Sequence, residues 1–177
     1  MVKSMKWMVG FIFIVAAASA MMLSGASDLQ ARQSGGLQQQ IQGNWTLVSI
    51  YNEWPDGRKL EQFGPDPKGS MTLTADGRFS IFFAKADIPK FASNNRLKGT
   101  TKENRAVVHG CLAYFGRYTV SSEKDGLVTL MVEASTFPNW NGQKQKRVMS
   151  ASGDALKVVT PASGIGGTSY IVWQRAK

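Results

Sequence analysis

The chain is poor in residues that staple or metallate a fold: of its 177 positions one is cysteine, Cys111, and one is histidine, His109. A single thiol forbids an intrachain disulfide, and this inventory cannot assemble a Cys/His zinc cluster, so no metal is expected. Acidic residues are also scarce, 12 Asp and Glu against 21 Lys and Arg, which leaves a formal net charge of +9. Such a balance favours anionic partners in general. The basic residues are scattered, however, and the one dense run, Lys144-Gln145-Lys146-Arg147, has no interleaved aromatic platform, which argues against nucleic acid. On a strand Lys144 and Lys146 share one face, and that face reads as a solvated exterior. Phosphate-loop and Ser-x-x-Lys signatures are missing their contexts. Gly164-Ile165-Gly166-Gly167 has no strand-to-helix setting, and Ser121-Ser122-Glu123-Lys124 falls in a turn without partner motifs. No cofactor is expected.

What is present begins with Lys3 and Lys6, an apolar run from Trp7 to Leu23, and the small residues Ser24-Gly25-Ala26. Residues 1–26 therefore read as a secretory signal peptide cleaved after Ala26, with a retained membrane anchor as the alternative. Ser27 stands where a lipid-bearing cysteine would be needed. The chain is expected to be exported, periplasmic or secreted, and to meet a membrane only through that segment if it is left uncleaved. Its removal takes Lys3 and Lys6 with it, so the +9 becomes +7, on about 150 residues that suffice for one domain with a sizeable core. Residues 27–42, rich in Gln, Ser and Gly, read as a flexible leader with at most a short frayed helix near Leu37 to Ile41.

From Gly43 the pattern changes to period two. Strands are expected from Trp45 to Tyr51, at 71–74, 78–83, 111–120, 127–136, 145–152, 155–160 and 169–175, with Pro55-Asp56-Gly57 marking a turn. Ala75-Asp76-Gly77 predicts a type I′ hairpin. Eight short antiparallel strands make an all-β, up-and-down barrel, whose interior is either a packed core or one small-molecule cavity. One segment breaks the meander. Thr100 followed by Glu103 has the spacing of a capping box and predicts a short helix over 100–108, which with the 89–99 loop would lie across one barrel mouth as a lid or a plug. His109 and Cys111 would share one face of a strand, the spacing of a nucleophile and base, but such a pair needs a third, orienting group, and a lone cysteine is more simply a small buried hydrophobe.

The stretches Gly43-Asn44-Trp45-Thr46-Leu47-Val48-Ser49, Phe63-Gly64-Pro65-Asp66-Pro67-Lys68-Gly69, Phe91-Ala92-Ser93-Asn94-Asn95-Arg96, Leu112-Ala113-Tyr114-Phe115-Gly116-Arg117-Tyr118 and Val132-Glu133-Ala134-Ser135, followed by Phe137-Pro138-Asn139-Trp140, resemble the bacterial and fungal lipocalin-like domain family. The resemblance spans nearly all of 43–177. It implies a calycin-type barrel, in a family mostly without an assigned activity. It also implies that Trp45, near the start of the first strand, is covered by Arg175 from the last, a structural cation-π contact of roughly 0.5 to 2 kcal/mol. Members often carry histidine just before the Val-Glu step, where this chain has Leu130-Met131. That departure shifts weight from catalysis to binding.

Pairing Val120 with Leu127 would set Tyr114 opposite Glu133, Leu112 opposite Ser135, and Gly116 and Tyr118 opposite Met131 and Thr129. One face then holds Leu112, Tyr114, Tyr118, Met131, Glu133 and Ser135, and that face is expected inside. The alternative is the face of Ala113, Phe115, Val128, Leu130 and Val132, since a one-residue slip inverts the choice. Sparse polar groups among apolar walls suit a ligand cavity. Trp140 would rim the opening or pack over the barrel end, and Arg96 would meet an anionic head group or pair with Glu103. The expected function is binding of a small, largely hydrophobic molecule by a monomer or weak homodimer. The alternatives are a cofactor-free isomerase, cyclase or dehydratase using Glu133 with Tyr114 or Tyr118 as acid and base, or a filled structural barrel.

Overall fold

The computed structural model describes residues 35–177; the expected signal segment lies outside them. Helix α1 (Leu37–Ile41) leads into strands β1 (Gly43–Glu53), β2 (Lys59–Leu60), β3 (Lys68–Leu73) and β4 (Arg78–Ala84). Helix α2 (Thr101–Gly110) precedes β5 (Cys111–Ser122), β6 (Leu127–Ser135), a 3₁₀ turn (Pro138–Trp140), β7 (Lys144–Ser152), β8 (Ala155–Thr160) and β9 (Thr168–Arg175). The sheet runs β1-β3-β4-β5-β6-β7-β8-β9 with every neighbour antiparallel, and β9 pairs back onto β1. This is a closed eight-stranded barrel. The two-residue β2 hangs from the far end of β1, where Asn52 pairs with Leu60.

Alternation makes the core. In β1 the buried residues are Trp45, Leu47, Ile50 and Asn52, and the change of phase after Leu47 is a bulge that turns Val48 out to solvent. Trp45, Met71, Leu73, Leu130, Met149, Leu156 and Trp173 are almost wholly buried. The hairpin between β3 and β4 forms, but as a four-residue connection rather than a type I′ turn. Gly77 alone adopts positive φ, 79°, while Asp76 accepts a hydrogen bond from the Thr74 hydroxyl.

Antiparallel strands sort the connections into two ends. At one end lie the tight β3–β4, β5–β6 and β7–β8 turns together with α1, and this end is closed. Ile41 is fully buried and Leu37 nearly so, because α1 packs on the barrel floor. The end of the expected leader is thus an anchored plug and not a frayed helix. Trp45 Nε1 donates to Ile41 O at 2.8 Å, and the Arg175 guanidinium lies 4.2 Å from the Trp45 ring centre while donating to Gln42 O and Gln40 O at 2.8 and 2.9 Å. Gly43 leaves the space this needs, since a Cβ there would come within 2.8 Å of Arg175 Nη1. Trp45 and Arg175 face each other directly in the β1–β9 ladder.

The long connections, 54–67, 85–110, 136–143 and 161–167, gather at the other end. Helix α2 sits within one of them and carries the expected capping box: Glu103 N donates to Thr100 Oγ1, and Thr100 N donates back to Glu103 Oε2 at 2.7 Å. The bond from Ala92 N, with those from Thr100 N and the Thr100 hydroxyl, holds the exposed Glu103 carboxyl below its ordinary range. The helix is largely exposed, and no residue of 85–110 joins the hydrophobic core.

Candidate functional site

The open end holds a cavity of about 720 Å³ bounded by the ends of β1, β4, β5, β7, β8 and β9 and by the loops after β2, β6 and β8. That volume lies in the range of pockets that take a small organic molecule. Helix α2 and its loop do not bound it, so the expected lid contributes no wall.

The two sides of the cavity differ. Toward β4 and β5 the wall is aromatic and aliphatic, formed by Phe63, Phe83, Leu112, Tyr114 and Trp140. Phe63 stacks on Phe83 with ring centres 5.4 Å apart, and Trp140 meets Tyr114 edge to face at 5.1 Å. Such arrangements satisfy the ring quadrupoles and stiffen the wall. Phe83 in turn leans on Trp173, whose indole N–H is buried without an acceptor among the described residues. Toward β7, β8 and β9 the lining is polar, with Gln145, Arg147, Thr160 and Ser169. Thr160 pairs with Ser169 and Ser169 with Asn52, so the polar side chains form a row across adjacent strands. Asn52 is tied down by Ser163 Oγ and by Gly166 O at 2.9 Å.

The expected site residues are not all brought together. Leu112, Tyr114 and Trp140 line the cavity. Tyr118 points inward as well, yet it belongs to the closed end, where its hydroxyl donates to Thr74 O at 2.8 Å. Burial pushes its phenol up from its ordinary range. Met131 and Glu133 are on the outside, which corrects the expected pairing. Val120 faces Val128 and Tyr118 faces Leu130, because a bulge at Ser121 shifts the hairpin by one residue; a second bulge at Glu133 leaves Tyr114 opposite Ser135. Val128, Leu130 and Val132 are therefore the inward residues of β6. Gly116 permits the second bulge, as a Cβ there would lie 2.0 Å from Met131 O.

Outside, Glu133 bridges two arginines that oppose each other across β4 and β5. Arg78 Nη2 lies 2.9 Å and Arg117 Nε 3.7 Å from its carboxylate. It neutralises a like-charge pair and faces neither tyrosine hydroxyl, so the proposed acid–base set is not assembled. Ser135 borders a shallow exterior groove with Phe82 and Phe115 and does not line the cavity. Arg96 is exposed in the 85–100 loop, and Glu103, its expected partner, is engaged in the helix cap. His109 lies in the last turn of α2 while Cys111 starts β5, so the two do not share a strand face; burial pushes the Cys111 thiol up, away from the thiolate a nucleophile needs. Among the described residues no group of three or more His, Cys, Asp and Glu converges on a metal position.

Arg147 is the residue the sequence reading missed. Lys144 and Lys146 are exposed as expected, but the alternate face of the same run, Gln145, Arg147, Met149 and Ala151, turns into the barrel. The readable signal was the apolar Met149 and Ala151 in phase with Arg147.

Comparison with known proteins gives two results. The model of a lipocalin-like domain family matches residues 42–176. Among curated proteins, the 4'-hydroxy-3'-methoxypropiophenone carrier protein ppsC of Aspergillus oryzae is 33% identical over 96 residues, spanning 49% of this chain and 86% of that protein.

Proposed function

The chain belongs to the lipocalin-like domain family, and from that premise we propose that it is an exported carrier that holds a small, largely hydrophobic molecule in the open end of its barrel. The observation that carries this reading is the asymmetry of the interior. A floor packed by Trp45, Trp173 and Ile41 sits beneath an unfilled cavity with an aromatic wall. An open cavity of this size, walled by aromatic rings above a well-packed floor, suits a small apolar guest. The relative named as a carrier of an aromatic ketone supports a carrier role for this barrel. Export rests on the apolar segment 7–23 and its small-residue site.

Native mass spectrometry of the protein purified from its own host tests both parts. The expected result is a chain beginning at Ser27, recovered outside the cytoplasm, with a small apolar molecule that is released on denaturation. A bare protein in which no apolar probe finds an internal site would overturn the carrier reading. A chain retaining residues 1–26 would overturn cleavage.

A further inference from the structure

Resting on that carrier reading, we propose that Arg147 anchors the guest, and that the guest is a small apolar molecule bearing one ionised oxygen, a carboxylate or an equivalent oxyanion. Arg147 is 7% exposed and faces the cavity from β7. Its Nη1 donates to Lys146 O at 2.9 Å and its Nη2 to Gln145 Oε1 at 2.5 Å, both of them neutral acceptors. A guanidinium has five N–H donors, so the rest of its fork remains for another partner. None of the ion pairs among the described residues includes it, and no Asp or Glu among them borders the cavity, while Lys144 and Lys146 reach its rim from the outward face of β7.

Burying a guanidinium without a counterion is unfavourable, and a fold keeps such a group where an anion compensates it. Arginine also suits a planar oxyanion better than lysine does, because two parallel N–H groups match its two oxygens. The surroundings orient the guest. Arg147 and Thr160 each follow the last β7–β8 pair, Val148 with Val159, at the cavity, where Thr160 heads the polar row through Ser169 to Asn52. The aromatic wall of Phe63, Phe83, Tyr114 and Trp140 lies across the cavity. An apolar body against those rings puts a charged end at Arg147. The exposed Lys144 and Lys146 at the rim would draw such an anion in.

Two dyes with the same apolar body separate anchor from cavity: N-phenyl-1-naphthylamine, which is neutral, and 8-anilino-1-naphthalenesulfonate, which carries an oxyanion. The expected result is that the full-length mature protein binds the sulfonate about tenfold tighter than the neutral dye, and that decanoate displaces either dye at lower concentration than decanol. Arg147→Met should abolish this preference while leaving affinity for the neutral dye within about twofold. Arg147→Lys should retain part of the preference, and Lys146→Gln should retain most of it. Equal binding of both dyes to the wild type, or a preference that survives in Arg147→Met, would overturn the anchor while leaving the cavity intact. Failure of both dyes to enter the wild-type protein would overturn the carrier reading and the anchor together.

Discussion

The two ends of the barrel are built from similar residue types and are held in opposite ways. At the closed end three polar side chains, those of Trp45, Tyr118 and Arg175, have backbone partners. Trp45 Nε1, the Arg175 guanidinium and the Tyr118 hydroxyl all donate to backbone carbonyls, and Arg175 also lies 3.6 Å from the Asp154 carboxylate. At the open end Arg147 finds, among the described residues, only neutral acceptors on its own strand, and aromatic rings line an open cavity. One arginine closes a barrel; the other has charge left over. The same side chain therefore serves stability or recognition according to whether the fold supplies its counter-groups, and its surroundings show which.

The sharpest way to break this contrast is at Arg175. Arg175→Ala removes two charge-assisted bonds to Gln40 and Gln42 and the cation-π contact with Trp45, and it unpins α1 from the floor. A loss of about 3 kcal/mol in urea unfolding is expected, with dye affinity at the open end changed less than about twofold. A variant of unaltered stability, or one that unfolds normally but no longer binds, would erase the division between the ends.

The opposite pattern is expected at Trp140. Itself half-buried at the rim, it rests between the exposed Phe137 and the buried Tyr114. Trp140→Ala should cost about 1 kcal/mol of stability and weaken neutral-dye binding about tenfold, as read by fluorescence titration. Stability falling as far as in Arg175→Ala, with affinity untouched, would make Trp140 part of the packing instead of the binding wall.

Legibility in the sequence follows the same division. Features set by a few adjacent residues could be read: the Thr100–Glu103 cap, the hairpin at Asp76-Gly77, and the alternation that makes eight strands. The inward orientation of Tyr114 and Tyr118 was the favoured of two faces, marked only by the polar Arg117 and Thr119 on the other. What escaped depends on a second strand. The bulges at Ser121 and Glu133 each add one residue to one side of the β5–β6 pair, and neither has a signature within its own strand. Because side-chain direction has period two, the first of them sent Met131 and Glu133 outward and brought in Leu130 and Val132. Arg147 escaped for an energetic reason. A charged residue in a basic run is ordinarily solvated, and only the cavity behind β7 makes the inward place tenable.

Tyr118 is the finer test of the closed end, because it lies on the same face of β5 as Tyr114 yet serves the floor. Its hydroxyl is buried and bonded to Thr74 O, and desolvation raises its folded pKa above the unfolded value of about 10. The neutral phenol is thus favoured in the folded state. Its contribution is fully present below pH 10 and is lost as the pH rises through the higher folded value, where the unfolded chain has already released the proton. Tyr118→Phe should therefore be about 1 kcal/mol less stable than the wild type at pH 8, and the gap should narrow in unfolding experiments at pH 10 to 11 as the wild type loses the benefit. Dye affinity at pH 8 should not move. A gap that stays constant with pH would mean that the phenol is reached by water in the folded state, and loss of dye binding would mean that the open cavity extends down to Tyr118, dissolving the floor that separates the two ends.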